Sequence, residues 1–141
     1  MIKLRRRDQA VRAAASGRDW TQYVITSPSG TTEPFRKRWA VLEMVKVLNE
    51  AGVPGSALAQ ALPNAKFLSV AGTPEGEELI EAYCDGYPMM RRNIGKWFLD
   101  HPIRDADRTW VLSKMWGRQT VPTLDKLVAL APREGFSYRA V

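Results

Sequence analysis

Trp97-Phe98-Leu99-Asp100-His101-Pro102-Ile103, then Arg104-Asp105-Ala106-Asp107-Arg108, then Thr109-Trp110-Val111-Leu112-Ser113-Lys114-Met115-Trp116-Gly117 is the stretch whose reading decides the fold. Two apolar runs rich in strand-forming residues flank a short, highly charged loop, which is the pattern of a β-hairpin. The stretch holds three of the five tryptophans and the only histidine. Pro102 lacks an amide donor, which places the first strand at a sheet edge. The buried face of this hairpin is expected to anchor the fold, while its charged tip is left free to meet a partner.

Working outward, Thr120 and Pro122 start a final helix in which Val121, Leu124, Leu127, Val128 and Ala131 form one face, and Pro132 ends it. The alternation of Phe136 to Val141 reads as a closing strand. On the other side of the hairpin, Met89 to Ile94 form a turn of helix bearing Arg91 and Arg92. Before it, Glu75 to Asp85 form a helix with Leu79, Ile80, Tyr83 and Cys84 on its buried face and acidic residues in its first turn, which suits the helix dipole. Phe67 to Ala71 reads as a strand. The longest helix runs from Glu33 or Pro34 to Ala51, capped by Thr31 or Thr32, with Pro34 tolerated in its first turn. Trp39, Leu42, Val45 and Leu48 recur at three-residue steps along it and give a broad buried face. Gly52 and Pro54 stop that helix. Ser56 caps a short one from Ala57 to Leu62. Asp19 to Ser27 is aromatic and β-branched, a first strand. No internal repeat or low-complexity tract is visible. The expected core comprises Trp39, Leu42, Val45, Leu48, Leu79, Leu112, Leu127 and Val128.

With 141 residues, 45% hydrophobic and 26% charged, the chain has the size and composition of one ordinary folded domain. No apolar run approaches the ~18 residues of a membrane span, and Arg12 interrupts the short apolar stretch behind the basic N-terminus, so neither a membrane helix nor a secretory segment is expected. A single cysteine, Cys84, forms no intrachain disulfide and suits a reducing, cytoplasmic setting. The fold class expected is α+β: a basic arm over residues 1–18 and a single domain over 19–141, with about four helices and a small, mostly antiparallel sheet.

The net charge of +6 is distributed unevenly: +6 over residues 1–38, −5 over 39–87 and +5 over 88–141. Two basic segments around an acidic middle point to an oriented surface for a polyanion. Three groups of basic residues are candidates for contacting a nucleic-acid backbone. Arg5, Arg6, Arg7 and Arg12 form an arm able to follow phosphates or enter a minor groove. Arg36, Lys37 and Arg38 lie in the early turns of the long helix. Arg91, Arg92, Lys96, Arg104, Arg108, Lys114 and Arg118 surround the hairpin.

Catalytic chemistry finds less support. His101 reads as a surface or packing residue and Cys84 as a buried thiol; with one of each there is no zinc set of ordinary composition. Asp100, Asp105 and Asp107, with Lys114 nearby, compose an imaginable metal-dependent nuclease cluster, but loop aspartates beside arginines read more simply as turn formers with local ion pairs. No phosphate loop is present, since Ser27-Pro28-Ser29-Gly30-Thr31-Thr32 lacks the spacing and the lysine. No cofactor or metal is expected. The tryptophans are read chiefly as core contacts, with base stacking by Trp116 as the alternative.

Short helices followed by a hairpin with basic side chains at its tip resemble winged-helix proteins. The segment from Leu48 to Ala59, with Gly52 and Ser56 at its turn, resembles a helix-turn-helix corner. The acidic helix Glu75 to Asp85 departs from that pattern, because in the place of a groove-reading helix it would repel phosphates. The run from Thr109 to Trp116-Gly117, then Thr120 to Ala131, then Phe136 to Val141 resembles accessory DNA-associated modules of restriction and other genome-defence proteins. These resemblances imply a non-catalytic module, regulatory or defence-linked, that contacts duplex DNA, and they carry over no site residue. The alternatives are a protein-interaction adaptor or inhibitor working through the acidic middle segment, and the small nuclease.

Overall fold

The computed structural model describes residues 20–63 and 65–141, which form an α+β fold of four α-helices and two small antiparallel sheets. In the first sheet β1 (Gln22–Ser27) is central. The strand β7 (Ser137–Ala140) lies along one side of it, while β2 (Gly30–Thr31) and β3 (Phe35–Arg36) follow one another along the other. In the second sheet β6 (Arg108–Leu112) is central, between β4 (Phe67–Ala71) and β5 (Ile103–Asp105). Pro102 precedes β5, which is an edge strand as its missing donor requires.

The long helix, α1 (Lys37–Glu50), begins later than the expected Glu33 or Pro34. Phe35 and Arg36 pair with Tyr23 and Gln22 instead, holding the backbone extended up to Arg36. The two threonines read as caps belong to the sheet: Thr31 pairs with Thr26, and the Thr32 hydroxyl accepts the Ile25 amide at 3.1 Å. Ala40, Val41, Leu42, Met44, Val45, Val47 and Leu48 are all buried, covering most of the helix circumference, so α1 runs through the core. Trp39 is the exception. It is 40% exposed and only borders the core, with its ring edge-on to Phe98 at 4.9 Å. Val128 is half-buried, and the other expected core residues are buried.

The second sheet is covered on both faces. Phe67, Ile103 and Leu112 face the main core with α1, α2 (Gly55–Ala61) and α4 (Thr120–Val128), and Trp110 packs against that core. Val70 and Val111 face α3 (Gly76–Gly86), from which Leu79 and Tyr83 close a second, smaller core with Met90. Two tyrosine hydroxyls fasten this layer. Tyr83 Oη lies 2.7 Å from the carbonyl oxygens of Leu68 and Thr109, and Tyr87 donates to Ser69 O at 2.8 Å. Burial pushes the Tyr83 phenol above its ordinary range, with the neighbouring Tyr87 adding to the effect. The turn expected at Met89 to Ile94 is two 3₁₀ turns, Pro88–Arg92 and Ile94–Lys96, with Asn93 between them.

Although the sequence shows no repeat, the connectivity does repeat. One strand–helix–strand run contains β1, α1 and β4; the other contains β6, α4 and β7. Each run contributes one strand to each sheet, β1 pairing with β7 and β4 with β6, while α1 packs on α4.

The hairpin differs from its sequence reading in its first arm. Trp97 bridges to Ser113, and Phe98 donates its amide to Leu112 O at 2.9 Å, but residues 99–102 then loop out before β5 rejoins the sheet. The strand register leaves a two-residue turn, Ala106-Asp107, between the paired Asp105 and Arg108. Ala106 sits at φ 54°, the left-handed region such tight turns use.

Candidate nucleic-acid interface

The register of β5 and β6 decides what the hairpin tip can do. Arg104 pairs with Thr109, and Asp105 pairs with Arg108. Directly paired residues share a face and consecutive residues alternate, so Arg104 and Arg108 project from opposite faces of the sheet. Their contacts agree. On the α3 side, Arg104 donates to Pro74 O at 3.0 Å and lies 3.9 Å from Glu75. On the other side, Arg108 donates to Ser69 Oγ at 2.8 Å. The tip therefore does not present both arginines to one flat partner.

The aspartates read as possible metal ligands serve separate local contacts. Asp105 accepts the Gly55 amide at 2.6 Å and so caps α2 from the hairpin, a role the sequence had given to Ser56. Asp100 lies 3.7 Å from His101, whose ring is edge-on to Trp39. Asp107 accepts the Gly72 amide through its backbone carbonyl at 2.5 Å. Among the described residues, no three His, Cys, Asp or Glu side chains gather as a metal site. Cys84 is buried on α3.

The remaining basic candidates divide by their partners. Arg5, Arg6, Arg7 and Arg12 lie outside the described residues. Arg36 lies over the Trp20 ring at 4.7 Å, Lys37 is half-buried at the start of α1, and Arg38 is exposed beside it. Arg91 pairs with Glu81 at 3.5 Å and reaches Asp85 at 3.9 Å, while Arg92 and Arg118 are exposed.

A different basic group forms at the end of the second sheet away from the hairpin tip. There Ser113 donates its amide to Lys66 O and Lys114 donates to Lys96 O, each at 2.8 Å, which brings three lysine positions onto adjacent backbone segments. Lys66 reaches Met115 O with its ammonium at 2.6 Å and lies over the Trp116 ring at 5.3 Å. Lys114 lies over the Phe98 ring at 5.3 Å. Among the described residues, no carboxylate comes within 4.0 Å of any of the three ammonium groups. Partial burial lowers the Lys66 pKa from its ordinary 10.5. Lys66 was missing from the candidates because it belongs to the acidic middle segment; only its register opposite Ser113 places it beside Lys96 and Lys114.

The same end of the sheet carries a groove. Its mostly apolar length, about 410 Å³, is lined by Leu68, Tyr87, Pro88, Met89, Met90 and Trp97. It adjoins a more polar recess of about 220 Å³ lined by Lys66, Lys96, Ser113 and Met115, with Ala65, Asn93 and Trp97 common to both. Trp116, the tryptophan read as a possible stacking residue, is buried instead, and its indole N–H donates to Ser113 O at 2.7 Å.

No family model, curated protein or solved structure matches the chain. Among the described residues, no helix is long and apolar enough to cross a membrane.

Proposed function

We propose that this protein is a non-catalytic nucleic-acid-binding module whose backbone contact lies at the end of the second sheet rather than at the hairpin tip. The observation that carries this reading is the trio Lys66, Lys96 and Lys114, held on adjacent backbone segments with no carboxylate of the described residues within 4.0 Å. Arg91 and Arg104, in contrast, are already satisfied by carboxylates or a carbonyl of the chain. Cations left uncompensated at a folded surface favour an external anion, and a phosphate backbone supplies several at regular spacing. Exposed Arg92 and Arg118 lie on the flanking segments and extend the positive field.

The test is the salt dependence of oligonucleotide affinity, measured by fluorescence anisotropy on the full chain. Each phosphate contact neutralised by a lysine contributes about 0.7 to the slope of log affinity against log salt for single strands and about 0.9 for duplex. Changing Lys66, Lys96 and Lys114 together to Gln is expected to lower that slope by roughly 2. Changing Arg91 and Arg104 together to Gln should leave it nearly unchanged. No binding at low salt, or a slope indifferent to the lysines, would refute the reading.

A further inference from the structure

From the groove beside the lysines we infer that the nucleic acid bound is single-stranded, with unpaired bases entering the apolar length while their phosphates meet Lys66 and Lys96. This rests on the nucleic-acid reading above and adds to it the class of strand. Three features of the surface carry it.

The first is chemical complementarity across two adjoining depressions that share Ala65, Asn93 and Trp97. The apolar length is lined by two half-buried aromatic side chains, Tyr87 and Trp97, and Trp97 also lines the adjoining recess that contains both lysines. A strand presents the same combination: flat apolar faces on the bases and a charge at every phosphate. Single-strand binders recognise it with a basic groove and aromatic platforms.

The second is shape. A volume of about 410 Å³ falls within the size range of sites that enclose a small ligand. Paired, stacked bases do not offer their faces to a depression of this kind, whereas the bases of a single strand can be splayed into it.

The third is the polar group at the junction. Asn93, common to both parts, spends its amide N–H on Met89 O at 2.9 Å, which fixes the orientation of its side chain. Its carbonyl oxygen remains available as an acceptor for a base N–H, such as thymine N3–H. Two exposed methionines, Met89 on the apolar length and Met115 on the recess, are flexible enough to adapt to differing bases.

The test compares three ligands of about 12 nucleotides, within the ~4–16 nucleotides that one single-strand-binding fold covers. They are oligothymidylate, an abasic deoxyribose-phosphate strand of equal length, and a duplex, all titrated against the full chain at one salt concentration. Oligothymidylate should bind at least about fivefold more tightly than the abasic strand, because stacking on one aromatic side chain is worth roughly 5- to 150-fold. Trp97→Leu should remove most of the advantage of oligothymidylate over the abasic strand without changing the abasic affinity, and Trp97→Phe should restore most of the preference. Met89→Ser, at a 73% exposed position, gives a second variant less prone to misfolding, with the same direction expected. Equal binding of base-bearing and abasic strands, or tighter binding of duplex, overturns the inference and leaves the phosphate reading standing. The apolar length would then be free for an apolar side chain of a protein partner. Binding to none of the three overturns both readings.

Discussion

Replacing Gly55 by alanine should destabilise the protein although alanine is the better helix former. Gly55 opens α2 where the Trp110 indole occupies the space a Cβ would need. A Cβ there would fall within van der Waals distance of the indole nitrogen and at 2.6 Å from Cε2. Trp110 has little room to withdraw, because its ring is stacked on Phe67 at 4.9 Å. Overpacking of this kind costs about 1–3 kcal/mol. Alanine recovers at most ~1 kcal/mol through lower chain entropy. At the middle of the overpacking range the net expectation is a loss of about 1 kcal/mol, or a fall of about 2–4 °C in melting temperature for a chain of this size. Urea and thermal unfolding followed by circular dichroism would measure it. The cause is checked by repeating the substitution in a Trp110→Phe background, where the smaller ring should remove most of the penalty. A variant as stable as wild type, or a penalty that persists after Trp110→Phe, would refute the packing of the hairpin on α2.

Three other outcomes follow from individual residues. The Tyr83 phenol keeps its proton in the folded state to higher pH than in the unfolded chain, so its contribution is complete below about pH 10 and lost as pH rises above it. Tyr83→Phe should flatten the decline in stability above pH 10 and cost about 0.5–1.5 kcal/mol at neutral pH. Ala106 occupies a left-handed backbone conformation, so Ala106→Gly should stabilise the hairpin by about 0.5–1 kcal/mol in urea unfolding. Because burial lowers the Lys66 pKa, affinity for a phosphate strand should begin to fall at a lower pH than an ordinary lysine, with its value of 10.5, would cause. Lys66→Arg, which keeps its charge, should flatten that pH profile.

The fold class was legible because its signals are local. Apolar faces marked the three longer helices, turn and stop residues marked the short one, and the break between two apolar runs marked the hairpin. What escaped depends on pairings distant in sequence. Thr31 and Thr32 have cap-forming side chains, but β1 claims both residues, and this delays the helix to Lys37. Ser56 lies where a cap would be expected, but Asp105, fifty positions away, supplies the acceptor. Trp39 shares the helical stripe of Leu42 and Val45, yet lies where the helix leaves the core. The candidate site follows the same division. Lys96 and Lys114 were recognisable as basic residues around the hairpin, whereas Lys66 joins them only through the antiparallel register of β4 and β6. The register of β5 and β6 likewise sends Arg104 and Arg108 to opposite faces, which charge counting along the chain does not reveal.

The most direct test of where nucleic acid binds is photo-crosslinking of the full chain to a single strand carrying 4-thiothymidine, with the adducts mapped by mass spectrometry. Adducts are expected within residues 86–97 and 113–118, and are expected to be lost when Lys66, Lys96 and Lys114 are changed together to Gln. Adducts concentrated at Arg104 to Arg108, and unaffected by the lysine changes, would contradict this placement of the binding surface.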